Sequence, residues 1–65
     1  MDSIKIGKRL IELRGEKTQE KVAKDNNISV SALSMYEQGN RIPRDEVKIR
    51  LAEYYNVSVE KLFFT

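Results

Sequence analysis

The chain has 65 residues, 40% of them hydrophobic and 34% charged, with a formal net charge of +2; a length of this order supports one small core, so residues 1–65 are expected to form a single domain. That balance argues against disorder, and no apolar run nears the roughly 18 residues of a membrane span. Lys5, Lys8 and Arg9 interrupt Ile4, Ile6 and Leu10 at the start, so no secretory leader is expected and the protein is expected to be cytoplasmic.

Ile6, Leu10 and Leu13 recur at helical spacing, with Ile11 beside them, and predict a first helix over about 3–14 that stops at Gly15. Thr18 is an N-cap for a second helix, about 18–26, whose buried stripe is Val22 and Ala23. Asn26-Asn27 ends it, asparagine being tolerant of the left-handed geometry that a tight turn needs. Ser29 caps a third helix, about 29–38, in which Leu33 and Tyr36 line up with Ile28 and which Gly39 terminates. The segment NRIPR is a loop, with Pro43 at or near the first turn of a fourth helix. Val47, Leu51, Tyr54 and Tyr55 give that helix its apolar face before Asn56 breaks it. Ser58 caps a last short helix packed through Val59, Leu62 and Phe63. Five helices with short connections fit an all-α, compact five-helix bundle.

The absence of cysteine and histidine removes disulfides, cysteine and histidine metal ligands, thiol nucleophiles and the usual general base. No enzyme activity, metal or cofactor is expected, and no small-molecule ligand. The charge is unevenly spread: basic residues exceed acidic ones in residues 1–17 and 39–50, whereas 18–38 is slightly acidic. An anionic partner is therefore expected to be held by the segments flanking the central third.

Two short helices joined by a tight turn, with a small residue where they cross, define a helix-turn-helix, here over about 18–38. Counting from Gln19, the fifth residue is Ala23, the tenth Ile28, the fifteenth Leu33 and the eighteenth Tyr36. Small, apolar, apolar, apolar is what a steep helix crossing requires at those places. All four are assigned to the core.

The chain resembles the Cro/cI-type helix-turn-helix domain, also called the XRE family, of bacterial and phage transcriptional regulators. The resemblance runs from IGKRLIELR through TQEKVA and ISVSALSMYEQG to RIPRDEVKIRLAEYYNVSVEKLF. It implies a lambda-repressor-like fold whose second and third helices form the helix-turn-helix, binding double-stranded DNA with the third helix in the major groove. It also implies a homodimer, at least on DNA, reading an inverted-repeat operator, most often as a repressor. Phe64 and the C-terminal helix are the interface candidates.

Matched residue by residue, the resemblance makes Val30, Ser31, Ser34 and Met35 the base-contacting candidates. Many relatives carry Arg, Gln or Asn there, side chains that bridge a base edge with two hydrogen bonds. Only hydroxyls and apolar groups stand at these positions, so modest discrimination per base is expected. Lys17, Thr18, Gln19, Gln38, Asn40, Arg41 and Arg44 are the phosphate-contacting candidates. The resemblance further implies an ion pair between Glu37 and a first-helix arginine, Arg9 or Arg14, with Arg14 favoured. Lys48 and Arg50 are read as solvated charges. Asn26 replaces a commonly apolar residue before the turn and is expected to weaken the packing of helices 2 and 3 slightly. A second class of function fits the uncharged 29–36 surface: a protein-interaction module, antitoxin-like or anti-repressor, on the same fold.

Overall fold

The computed structural model describes residues 1–65 and contains five α-helices and no strand. They are α1 (Ser3–Arg14), α2 (Gln19–Asp25), α3 (Val30–Glu37), α4 (Asp45–Tyr54) and α5 (Val59–Phe63). Each boundary has a local cause. Asp2 accepts from the main-chain N–H groups of Ile4 and Lys5, Thr18 from Lys21, Ser29 from Ala32 and Ser58 from Lys61. These side chains satisfy first-turn donors that have no partner inside the helix. The bonds from Lys5 and Ile4 hold the Asp2 carboxyl below its ordinary pKa, the larger effect coming from Lys5.

Asn27 and Asn56 take positive φ values of 55° and 57°, turning the chain after α2 and α4. Asparagine adopts this region at lower cost than bulkier residues, which explains both turns without a glycine. α4 begins later than expected. Arg44 occupies its N-cap without a side-chain hydrogen bond, and Pro43 lies before the helix, buried in the loop. Proline disfavours helical geometry in the residue ahead of it, and Asp45 and Glu46 place negative charge on the positive end of the helix that follows.

The core has two parts. Ile6 and Leu10 of α1, Tyr36 of α3, Val47, Leu51 and Ala52 of α4, and Leu62 and Phe63 of α5 form the larger cluster. Val22, Ala23 and Leu33 form the smaller one at the crossing of α2 and α3. Ile28, expected in the core, is half-buried and packs against both clusters, joining them. Ile11 faces solvent. The whole occupies 26 × 22 × 21 Å. No helix is long and apolar enough to cross a membrane.

Gly7, in the middle of α1, sets how closely α1 approaches α3. A Cβ there would overlap the main-chain carbonyl of Glu37 and lie 2.9 Å from that of Tyr36. An interior helical glycine costs roughly 0.5–1 kcal/mol relative to alanine, and here it permits a backbone-to-backbone contact that no side chain leaves room for. Gly39, at φ 77°, closes α3 against the start of α1, where a Cβ would meet the Ile4 Cα at 3.0 Å.

Candidate nucleic-acid interface

α3 presents two faces of different character. Leu33, Tyr36 and Glu37 are buried, while Val30, Ser31 and Met35 are exposed and Ser34 is half-buried. Of the base-contacting candidates, then, three lie open on one surface and Ser34 lies beside them. Its hydroxyl accepts from Gln38 Nε2 at 3.0 Å, and Gln38 Oε1 accepts from Asn40 Nδ2 at 3.1 Å. Ser29 uses its hydroxyl as the helix cap and is not free for a base.

Glu37 anchors this helix to the rest of the fold. Arg14 Nε donates to Glu37 Oε2 at 2.8 Å and Arg14 Nη2 to Oε1 at 3.1 Å. Gln19 Nε2 donates to Oε1 at 2.9 Å. The Glu37 side chain is only 3% exposed, and a buried carboxylate is tolerated because three donors replace its water. The hydrogen bond to Glu37 raises the Arg14 pKa further above its ordinary value. Arg14 Nη1 also donates to the Lys17 carbonyl at 2.8 Å. One guanidinium thereby joins the end of α1, the loop before α2 and the end of α3. Arg9, the other candidate partner, is occupied elsewhere, donating to the carbonyls of Lys61 and Leu62 in α5 and of Thr65 beyond it.

Tyr55 lies beside this network. Its hydroxyl is buried and has no hydrogen-bond partner within the chain. Burial, reinforced by the Glu37 charge, pushes its pKa up to about 12. Its ring meets that of Tyr54 edge-on at 5.1 Å between centroids. Tyr54 in turn donates to Asp25 Oδ2 at 2.8 Å, which lowers the Asp25 pKa and raises its own.

The phosphate-contacting candidates fall into two groups. Lys17, Thr18 and Gln19 stand at the start of α2, with Lys17 and Thr18 exposed and Gln19 half-buried by its bond to Glu37. Gln38, Asn40, Arg41 and Arg44 follow α3 and are all exposed. Arg44 makes a solvated ion pair with Glu46 at 3.4 Å, a contact of little energetic weight. The first group precedes α3 in the chain and the second follows it.

Two residues read as solvated are not. Lys48 is buried, with Nζ 3.5 Å from Asp45 Oδ1 and 5.2 Å from the centroid of the Phe64 ring. Its aliphatic stem lies in the protein while the charge finds a carboxylate and an aromatic face. Arg50 is half-buried and its Nη1 donates to the Asn26 carbonyl at 2.7 Å. Asn26 is itself buried, with Nδ2 donating to the Val22 carbonyl at 2.8 Å. The polar residue expected to weaken the α2–α3 junction is therefore satisfied, and its carbonyl ties the turn to α4. Arg50 also lines, with Arg41, Arg44, Asn27 and Ser29, a concavity at the start of α3. Of the residues missed in the sequence, Gly7 carried a visible signal as an isolated glycine inside a helical pattern. Lys48 carried one as well, standing three and four residues before Leu51 and Ala52 on the same helix face, and Arg50 carried none.

An all-helical bundle with a short helix held outward beyond a tight turn is the architecture of a helix-turn-helix DNA-binding protein. The helix-turn-helix family model matches residues 8–62, and the chain belongs to that family, in its Cro/cI-type (XRE) branch. This is a family of DNA-binding regulators and not of enzymes. No curated protein and no solved structure gives a significant match to the chain.

Proposed function

We propose that this DNA-binding regulator is a repressor that reads an inverted-repeat operator as a homodimer, with residues 1–65 acting as one domain and α3 in the major groove. The observation that carries the reading is the two-sidedness of α3. Its inner face is pinned by Leu33, Tyr36 and the Glu37 network, while Val30, Ser31 and Met35 are left open. Side chains this short let the helix axis come close to a surface. The serine hydroxyls can donate to or accept from several bases, and Val30 and Met35 can pack on a thymine methyl group.

Lys17, Thr18, Asn40, Arg41 and Arg44 supply phosphate contacts on either side of that face, setting register on the duplex without reading sequence. Gln19 joins them through whatever hydrogen-bonding capacity its bond to Glu37 leaves. The dimer contact falls on the C-terminal helix and on Phe64, which is 56% exposed. Two copies related in this way place their recognition helices about 34 Å apart.

Selection of bound duplexes from a random pool tests the reading directly. An inverted-repeat consensus with half-sites about one helical turn apart supports it. Failure to retain any duplex at low salt removes it. In a salt titration, log affinity should fall against log salt with a slope near −0.9 per phosphate contact, whereas a flat dependence points to a protein partner.

A further inference from the structure

We infer that the concavity at the start of α3 is a binding site for a phosphate group, held among the guanidinium groups of Arg41, Arg44 and Arg50. The phosphate belongs either to a duplex backbone or to a free phosphorylated molecule, and only the first source rests on the DNA-binding reading above. Arg50, expected to be solvated, stands in the wall of this site.

Charge is the first argument. The chain carries 12 basic and 10 acidic residues, yet three arginines and no carboxylate line this hollow. The positive charge gathered there exceeds the net charge of the whole chain, +2. Glu46 approaches Arg44 at 3.4 Å, but both side chains are largely exposed, so the contact neutralises little. Arg41 belongs to none of the chain's ion pairs. Bringing like charges together raises the energy of the unliganded protein, and an anion among them relieves it.

Shape and donor chemistry are the second. The hollow has a volume of about 430 Å³, and Ile28, Ile42 and Val47 supply its apolar part. A cleft lined by one sign of charge with apolar walls focuses its field on the space inside. The arginines reach it from different places: Arg41 from the loop after α3, Arg44 from the N-cap of α4 and Arg50 from within that helix. Arg50 is fixed there, since its Nη1 donates to the Asn26 carbonyl at 2.7 Å while the rest of its fork stays free. Ser29 Oγ accepts from the Ala32 N–H at 3.0 Å, so its O–H remains to donate into the same hollow. Donors arriving from several directions suit a tetrahedral phosphate, which has oxygens on every side, better than a planar carboxylate.

Titration of the isotope-labelled chain with inorganic phosphate and with pyrophosphate, followed by NMR at constant ionic strength against chloride, tests this. Saturable shifts are expected at Ser29 and at the Nε–H groups of Arg41, Arg44 and Arg50, and not at the exposed Lys5 and Lys8. Arg41→Ala and Arg44→Ala, both at exposed positions, should keep the fold and each weaken phosphate binding about threefold to tenfold. Duplexes carrying one uncharged methylphosphonate linkage at successive positions separate the two sources. A position where the wild type loses affinity and Arg41→Ala loses no more assigns the phosphate to the duplex backbone. Saturable phosphate binding with no such position assigns it to a free phosphorylated molecule. Shifts that never saturate and spread over all exposed basic residues, together with no such position, overturn the inference and leave the DNA-binding reading untouched. A chain that selects no duplex but still binds phosphate in the concavity removes that reading and leaves the inference standing.

Discussion

Arg14 and Glu37, 23 residues apart, meet in a two-point ion pair at 2.8 and 3.1 Å, and the pair closes one end of the fold. Because the Glu37 side chain is 3% exposed, its value lies in satisfaction of a buried charge more than in attraction between two surface ions. Removing one partner strands the other. Arg14→Ala is expected to cost about 3–5 kcal/mol, and Glu37→Gln, which keeps the shape and one acceptor, about 1–3 kcal/mol. Urea denaturation checks both, and a loss below about 0.5 kcal/mol for Arg14→Ala contradicts this account.

Gly7→Ala is expected to be far more damaging than its chemistry suggests. Alanine is the better helix former by roughly 0.5–1 kcal/mol, yet the added methyl overlaps the Glu37 carbonyl. Neither backbone has a flexible group to move, so α1 and α3 must separate and the Glu37 network is disturbed with them. A loss of about 3 kcal/mol or more is expected, measured as a fall in the denaturation midpoint. An unchanged or raised midpoint rules out the close contact.

Tyr55→Phe should leave stability unchanged or raise it by about 1 kcal/mol, since the hydroxyl has no partner within the chain and its burial is uncompensated. The same residue makes stability depend on alkaline pH. Its pKa is raised from 10.0 in the ordinary state to about 12 in the fold, so the folded chain holds this proton more tightly. The contribution is complete below the ordinary value and is lost as pH rises from about 10 to about 12, amounting to about 1–2 kcal/mol. Comparing melting temperatures across that range for the wild type and Tyr55→Phe isolates the effect, because other groups titrate in both. Parallel curves count against it.

Arg41 and Arg50 should separate binding from folding. Arg41 is exposed, so Arg41→Ala is expected to leave the melting temperature within a degree or two, weaken all duplexes alike and lower the salt slope by about 0.9. Arg50 donates to the buried Asn26 carbonyl, so Arg50→Met is expected to cost about 1.5–3 kcal/mol of stability. Melting curves and salt titrations of both variants decide between the two roles.

What was legible in the sequence is what is decided locally. Thr18, Ser29 and Ser58 reach first-turn N–H groups three residues away, so their roles follow from spacing. The helix periods placed Leu33 and Tyr36 inward for the same reason. The partner of Glu37 came through resemblance to a family and not from spacing, and Pro43, expected at or near the first turn of α4, stands two residues before its first residue. The remaining assignments depend on which helices meet. Lys48 shares a face of α4 with Leu51 and Ala52, three and four residues on, but the groups that accept its charge are set by the fold, and Arg50 is one more charge until the α2–α3 turn brings the Asn26 carbonyl to 2.7 Å. Gly7 becomes indispensable only when α3 ends against it. The helices and the caps Thr18, Ser29 and Ser58 could be read from the chain because they rest on neighbours along it, and the class of protein followed from resemblance to a family. Which charges are buried and which partners they meet was settled by the packing of the helices, because burial and hydrogen bonding across helices depend on contacts that no local pattern encodes.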